Sequence, residues 1–302
     1  EPARALFSAL LVKIVPLSLF LFPVGALPED VLQKVVARRA QFLDFFRGDA
    51  RLLGELIALE RDMRTKLTPE QQIAFSRQFG DLAVAGDNPV IQKYSLPGHP
   101  EIFRVSNKKK DGEPLGREDA GTYWHSDGTW QTHPSKASIL YGIEIPRVGG
   151  NTMFADLYQA WETLTPTMQG MLGGLRAVHA MSNASGTSFE REFTGKADLV
   201  AAKAAIHPLV ITHPDSGRKA LFVNRGYTAQ IVGLSRSESD ALLAFLFQHS
   251  TAPELVYRHA WQPRDLLIWD NRCTAHYAIP DYKEIGDRYL HRTSVKGDRP
   301  MQ

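Results

Sequence analysis

The sequence predicts a mostly β protein with flanking helices, an α+β chain whose core is a β-sandwich or a jelly roll. Short segments rich in β-branched and aromatic residues recur from residue 101 onward, and turns that contain Gly, Pro or Asp separate them. Helical patterns are few and do not alternate with these segments, as they would in a parallel α/β sheet. The turn at residues 213–217 lies between two apolar segments and predicts a hairpin.

The first helix has clear end signals. Thr68 is a good N-cap, Pro69 suits the first helical position, and Gln71 completes a capping box. Gly80 is the expected end of this helix. Two further helices are predicted, one from the N-cap Asp156 to residue 164 and an amphipathic one over residues 235–249.

Strand character is found in eight segments, and the stretch from 106 to 121 is expected to be a polar loop. The predicted strands are 101–105, 138–145, 151–154, 209–212, 220–224, 255–259, 265–269 and 289–295. Residues 67–302 are therefore predicted to form one domain. Within it, residues 183–205 are too long for an ordinary connector and predict a lid.

Residues 1–66 form an atypical N-terminal segment, apolar over 10–27 and helical in pattern over 29–62. Two prolines and a lysine make the apolar part a poor membrane-spanning helix. We expect it to pack into the core, and a cytoplasmic location is favoured. A secretory signal over residues 4–27 is the alternative.

Composition excludes several classes of function. The chain has 302 residues, 23% of them charged, and its formal net charge is only +2, with the basic residues scattered. It lacks the basic stripe of a nucleic-acid binder. The single cysteine, Cys273, allows neither an internal disulfide nor a cysteine-based zinc or iron–sulfur site. Any metal must therefore be held by histidines and carboxylates.

A first candidate ligand pair lies in the segment Trp124–Asp127. In an extended chain, residues i and i+2 point to the same side, so His125 and Asp127 can face one ion. A second signal is His276, at the far end of an apolar strand that contains Trp269. Two histidines and one carboxylate on one face suit non-haem Fe(II) oxygenases, because three coordination positions stay open. Zinc accepts the same ligands, so a zinc site remains the alternative.

Arg288 and Arg292 are four residues apart on one predicted strand and share a face. Arginine is suited to two-point recognition of a carboxylate. A dicarboxylate such as 2-oxoglutarate needs one such partner, and a second anion would need the other. The plain alternative is that they form surface salt bridges, for example with Asp281 or Asp287.

An ordered set of motifs resembles the TauD/TfdA family of Fe(II)- and 2-oxoglutarate-dependent dioxygenases, from about Leu67 to Pro300. The matching pieces are Leu67–Gln72, Phe79–Leu82, Trp124–Asp127, Gly149–Thr152, His213–Gly217, Leu221–Asn224, Trp269–Arg272, His276–Ala278 and Arg288–Arg292. The resemblance implies a double-stranded β-helix core (jelly-roll, cupin-like). It also implies Fe(II), 2-oxoglutarate as cosubstrate and O2, with succinate and CO2 as products.

By the same resemblance, His125, Asp127 and His276 match the iron ligands. Arg288 and Thr152 match the residues that hold the distal carboxylate of 2-oxoglutarate.

For the substrate, Arg292 matches an arginine that meets an anionic group, and Tyr227 matches an aromatic residue that lines the pocket. Tyr94 is a further candidate. Arg292 suggests that the substrate is a small anionic molecule: a sulfonate, a sulfate ester, or a carboxylate such as an aryloxyalkanoate. The residues Ala120–Tyr123 differ from the polar residues of taurine dioxygenase, which argues against taurine itself. A catalytically silent or zinc-dependent anion-binding protein is the alternative. No nucleic acid or membrane is expected as a partner, and a symmetric homo-oligomer is the default for such an enzyme.

Overall fold

The structure is a computed structural model that describes residues 67–84, 92–118, 120–181 and 204–302. The expectations for residues 1–66 lie outside the described residues. The same holds for the predicted lid at 183–205, except that its last two residues begin a strand. Among the described residues, no helix combines the length and the apolar character needed to cross a membrane.

The predicted first helix forms as expected. Helix α1 spans Pro69–Ser76, the Thr68 side chain accepts from the Gln71 amide, and the reciprocal capping bond is present. A 3₁₀ turn, Arg77–Phe79, continues it to Gly80, whose φ of 136° ends the helical path. The cap predicted from the sequence therefore fixes the start of this helix.

A five-stranded antiparallel sheet carries one side of the core. Its strands stand in the order β1-β2-β15-β5-β13. Their bounds are β1 Ser95–Leu96, β2 His99–Ser106, β5 Ser135–Glu144, β13 Leu266–Asp270 and β15 Tyr289–Lys296. One face packs on α1, where Ile73 and Phe75 meet Ile139 of β5. Because side chains alternate along β5, Ser138 and Leu140 face the other way, toward the interior.

A three-stranded antiparallel sheet, β12-β6-β14, faces that interior from the opposite side. Its strands are β6 Thr152–Asp156, β12 Val256–His259 and β14 Thr274–Ala278. Phe154 of this sheet packs against Leu140, Leu267 and Leu290 of the five-stranded sheet. The two sheets therefore form a sandwich, and the candidate site lies between them.

The outer face of the three-stranded sheet is covered by helices and small sheets. The helices are α2 Leu157–Glu162, α3 Pro166–Leu172 and α4 Arg236–Ser250. The remaining strands are β3 Lys109–Lys110, β4 Glu113–Pro114, β7 Arg176–Ala180, β8 Ala204–Pro208, β9 Val210–Thr212, β10 Lys219–Leu221 and β11 Thr228–Ile231. The predicted hairpin is confirmed, since β9 and β10 pair antiparallel across the 213–217 turn.

The predicted fold class, mostly β with flanking helices, is confirmed, although the described strands do not close into a barrel. Several elements differ from expectation. The polar loop after residue 106 contains the β3–β4 hairpin, and strands β7, β8, β11 and β14 were not predicted. The predicted strand at 220–224 ends at Leu221, because Asn224 turns the chain by accepting from the Tyr227 amide through its side chain.

Candidate metal centre

The side chains of His125, Asp127 and His276 converge between the two sheets. One ligand-type atom from each lies within 4.8 Å of the others, and all three residues are buried. His125 and Asp127 stand on the segment that precedes β5, whereas His276 lies in the middle of β14. The expectation that an apolar strand ends at His276 is wrong, because β13 ends at Asp270 and a turn at 271–273 separates it from β14.

Two backbone hydrogen bonds bring the histidines together. The His125 amide donates to the His276 carbonyl at 3.0 Å, and the His276 amide donates back at 2.7 Å. Directly opposed residues of an antiparallel pair project to the same side. Asp127, two residues beyond His125, projects to that side as well. The backbone pairing therefore creates the cluster.

The His125 ring has a fixed tautomer. Its Nδ1 lies 2.8 Å from the carbonyl oxygen of Tyr123, which can only accept, so Nδ1 carries the proton. Nε2 is directed at the cluster, 3.6 Å from Oδ1 of Asp127. Gly121 lies so close that a Cβ there would be 2.8 Å from Cε1 of His125. The ring is therefore held with Nε2 facing the cluster.

The His276 ring packs against Trp269 and Phe154, with ring centroids 4.7 and 6.0 Å away. Burial, with a smaller contribution from His125, lowers the pKa of His276 well below its ordinary value. Its Nδ1 is buried and has no hydrogen-bond partner among the residues that the structure describes. The ring is therefore neutral, which is the form that binds metals.

Asp127 is the charged member of the cluster. Its Oδ2 accepts from the Ser138 hydroxyl at 2.6 Å, and its Oδ1 accepts from Arg292 Nη1 at 3.2 Å. Burial alone would raise the pKa of Asp127, but Arg292 and the two histidines hold it well below its usual range. Two imidazoles and one carboxylate are a donor set that fits a divalent transition metal.

Arg288 lies beside this cluster and is almost fully buried, with 2% of its surface exposed. Its Nε donates to the Gly150 carbonyl at 2.9 Å, and a Cβ on Gly150 would be 3.0 Å from its Cδ. Among the described residues, no carboxylate lies within 4 Å of its guanidinium. Asp281 instead pairs with Arg258, and Asp287 pairs with Lys108, so the surface salt bridges considered from the sequence are not formed.

A buried guanidinium without a counter-ion fits an anionic ligand, since burial lowers the pKa of Arg288 and disfavours its charge. Thr152 stands next to it. Its hydroxyl oxygen accepts from Trp261 Nε1 at 2.9 Å and from Arg288 Nη2 at 3.4 Å. With both acceptor positions used, the Thr152 hydroxyl proton is available for a further acceptor.

Arg292 differs from Arg288 in that its side chain is 24% exposed. Its guanidinium lies 5.0 Å from the ring centre of Phe103. The ring of Tyr94 meets Phe103 edge-on at 6.0 Å. Phe103 and Tyr94 thus form an aromatic pair next to Arg292.

Tyr227 is buried, and its ring meets His125 edge-on at 5.9 Å. Its hydroxyl shares a 2.8 Å hydrogen bond with the hydroxyl of Tyr123. The Tyr123 ring rests on Gly226, where a Cβ would come within 2.5 Å of it. The pair stands beside the metal cluster, and one of its two hydroxyl protons is not used within the pair.

Four residues of the site escape sequence reasoning: Ser138, Tyr123, Trp261 and Asn271. Ser138 offers a faint signal, because it is a polar residue on the inward-facing side of an apolar strand. Tyr123 lies two residues before His125, so the extended chain could have suggested it. Trp261 and Asn271 act through contacts with residues far away in sequence, and no local pattern marks them.

A second group of metal-binding residue types, His213, Asp270 and Cys273, has a different character. Nδ1 of His213 accepts from the amides of Asp215 and Ser216, so its Nε2 must carry the proton that it donates to Asp270. The ring has no lone pair left for an ion. This group is a hydrogen-bond network that holds the 213–217 turn.

This chain belongs to the taurine catabolism dioxygenase TauD, TfdA family, whose profile matches residues 51–294. It is therefore an Fe(II)-dependent dioxygenase that uses 2-oxoglutarate (alpha-ketoglutarate) and O2. The chain is 37% identical over 217 residues to the alpha-ketoglutarate-dependent 2,4-dichlorophenoxyacetate dioxygenase of Cupriavidus pinatubonensis, covering 70% of this chain and 75% of that protein.

A more distant relative is the alpha-ketoglutarate-dependent sulfonate dioxygenase of Saccharomyces cerevisiae, 30% identical over 242 residues, or 78% of this chain and 56% of that protein. Among solved structures, a taurine dioxygenase from Burkholderia xenovorans is 34% identical, with a TM-score of 0.64 over 83% of this chain and 82% of that chain. The structure of AAD-2 in complex with Mn(II) and N-oxalylglycine is 30% identical, with a TM-score of 0.67 over 79% and 84% of the two chains.

Proposed function

We propose that this dioxygenase hydroxylates a small organic anion, with His125, Asp127 and His276 as the iron ligands. The observation that carries the proposal is the convergence of these three buried side chains within 4.8 Å. The electrostatics support it, because burial keeps His276 neutral, Asp127 is charged, and the His125 ring is held with Nε2 toward the cluster. Iron and 2-oxoglutarate, when bound, activate O2 and put one oxygen atom into a substrate C–H bond, with succinate and CO2 as co-products.

Arg288 and Thr152 are proposed to hold the distal carboxylate of 2-oxoglutarate. The support is the buried guanidinium with no carboxylate partner among the described residues, and the Thr152 hydroxyl whose proton is available. Arginine can donate two parallel hydrogen bonds to a carboxylate. The cosubstrate anion would therefore neutralise a buried charge that no described carboxylate contacts.

Arg292 is proposed to bind the anionic group of the substrate, because it is charged, partly exposed and next to the metal cluster. Phe103 and Tyr94 beside it suit an aromatic or apolar body. Tyr227, with Tyr123, is proposed to line the side of the pocket next to His125. Relatives named for 2,4-dichlorophenoxyacetate and for sulfonates act on organic anions, which supports this class of substrate.

The protein residues contribute binding, orientation and exclusion of water. The two sheets bury all three proposed ligands, so the reacting centre is dry except on the side of Arg292. A low-dielectric site strengthens the hydrogen bonds of the arginines to both anions. A partly exposed Arg292 gives the substrate an approach from solvent.

A zinc hydrolase with the same three ligands would leave the Arg288 and Thr152 pair without a role, and the complete set of three ligands argues against a silent anion binder. The variant Asp127→Ala separates binding from chemistry. We expect it to lose 2-oxoglutarate turnover, whereas a silent binder would keep its affinity for an anion at Arg292.

The direct test is an anaerobic titration with Fe(II) and then 2-oxoglutarate, followed by visible absorption. A charge-transfer band that needs both additions, and that is lost in His276→Ala, supports the proposal. His213→Ala is the matched control, since it removes a buried histidine from the other metal-type cluster and should keep the band. A well-folded wild-type protein without a band, or a band lost only in His213→Ala, would contradict the proposal.

A further inference from the structure

The Asp127 carboxylate is held from behind by a buried serine. Ser138, on the central strand β5, is fully buried and donates its hydroxyl proton to Oδ2 of Asp127 at 2.6 Å. The backbone of Ser138 is itself fixed, because it pairs with Trp269 on one side and Ser294 on the other. A hydroxyl on such a strand has little freedom to move away from its acceptor.

The direction of this hydrogen bond follows from its neighbours. Oδ1 of Asn271 lies 3.1 Å from the Asp127 amide and 3.0 Å from Trp269 Nε1, two groups that can only donate. This fixes the orientation of the Asn271 amide. Its Nδ2 then donates to the Ser138 oxygen at 2.9 Å, which leaves the serine proton for Asp127.

The hydrogen bonds therefore all run in one direction, with each side chain donating to the next. They lead from Trp269 through Asn271 and Ser138 to Oδ2 of Asp127. Both Ser138 and Asn271 are buried, at 0% and 1% exposure, so water does not compete for these bonds. Polarised chains of this kind are stronger inside a protein than their separate bonds. The rotation of the Asp127 carboxylate is fixed as a result.

We propose that Ser138 and Asn271 are positioning residues that keep the Asp127 carboxylate monodentate, so that it binds the metal through only one of its two oxygens. This rests on the proposed ligand role of Asp127. An octahedral ion with two histidines and one carboxylate oxygen keeps three positions open, two for 2-oxoglutarate and one for O2. If the carboxylate rotated and bound the ion through both oxygens, it would occupy one of these three open positions. Restraint of Oδ2 keeps that position free.

The chain offers a matched control for this role. Ser76 is also 0% exposed, and its hydroxyl lies 2.6 Å from that of Thr293, on the α1 side of the same sheet. Ser76→Ala and Ser138→Ala thus remove the same atom from equally buried positions. A purely structural effect would be alike in both variants.

The test uses the full-length protein, titrated anaerobically with Co(II) and followed by its visible absorption, and then with 2-oxoglutarate at saturating Co(II). We expect Ser138→Ala to weaken Co(II) binding roughly 10- to 100-fold, the usual effect of losing an outer hydrogen bond to a ligand. Its Co(II) spectrum should change, and its 2-oxoglutarate affinity should fall. Ser76→Ala should match the wild type in all three measurements.

The outcomes separate the two proposals. If the wild type binds Co(II) and Ser138→Ala stays within twofold of it with the same spectrum, the positioning role is overturned and the ligand set stands. If Ser138→Ala and Ser76→Ala weaken binding equally, the effect is general destabilisation, and the positioning role is again overturned. A folded wild type that does not bind Co(II) would overturn the ligand set together with the positioning role.

Discussion

Replacement of the buried arginine beside the metal cluster is the sharpest test of the cosubstrate site. Arg288 donates to Gly150 and Thr152 but has no carboxylate within 4 Å among the described residues. Arg288→Met removes the charge and keeps much of the side-chain length. Loss of one partner of a buried, hydrogen-bonded charge pair costs about 2–5 kcal/mol. Since about 1.4 kcal/mol is a tenfold change, the Kd for 2-oxoglutarate should rise roughly 30- to 4,000-fold.

The measurement is calorimetric titration of 2-oxoglutarate into the Mn(II)-loaded protein, which binds without turnover. Lys108→Met is the control, because it removes a positive charge from the neighbourhood of Arg288: Lys108 follows Asn107, which accepts from the Arg288 amide, and it bridges Glu144 and Asp287 at the surface. It should bind 2-oxoglutarate as the wild type does. Saturating 2-oxoglutarate should also raise the Tm of the wild type and of Lys108→Met, but not that of Arg288→Met. A Kd for Arg288→Met within threefold of the wild-type value would refute the assignment.

Three further predictions concern neighbouring residues. Arg292→Ala should raise the KM of the organic anion roughly 10- to 150-fold, the equivalent of one charge-assisted hydrogen bond, and raise the 2-oxoglutarate KM much less, because Arg292 acts on the cosubstrate only through its contact with Asp127. Equal effects in steady-state kinetics would contradict its role. Trp261→Phe removes the N–H bond to Thr152 and should raise the 2-oxoglutarate Kd roughly 2- to 13-fold in the same calorimetric assay. Asp156→Asn should change the pH dependence of unfolding. Burial raises the pKa of Asp156 to about 6, above its unfolded value of about 4. Its contribution to the free energy of unfolding is therefore fully present below pH 4 and is lost, by about 3 kcal/mol, as the pH rises through 6. Denaturant titrations at pH 4 and pH 7 should therefore show the variant gaining on the wild type at the higher pH, and a constant difference would contradict this.

Local signals in the sequence predicted a good part of the fold. The capping box at Thr68 and the hairpin turn at 213–217 form as expected, because each depends on residues within a few positions of one another. The i, i+2 spacing of His125 and Asp127 likewise brings both side chains to one face. Such features need little information from the rest of the chain.

Other features depend on tertiary contacts and could not be predicted. Strand β14 has only five residues and directly follows the turn at 271–273, yet pairing with β6 and with His125 makes it a strand. The sequence suggested that Arg288 and Arg292 share a face. It could not show that Arg288 is buried with no carboxylate partner among the described residues, or that Arg292 contacts Asp127. Burial of a particular charge is decided by the whole packing arrangement.

The paired backbone bonds between His125 and His276 join two segments that lie 151 residues apart. Any local unfolding that breaks these two hydrogen bonds also separates the two imidazole rings, so an ion held by both rings would be released. Metal binding and the formation of these hydrogen bonds are therefore thermodynamically coupled. The amide protons of these two histidines should exchange with solvent more slowly once the ion is bound, which makes them a built-in reporter of occupancy that needs neither substrate nor turnover.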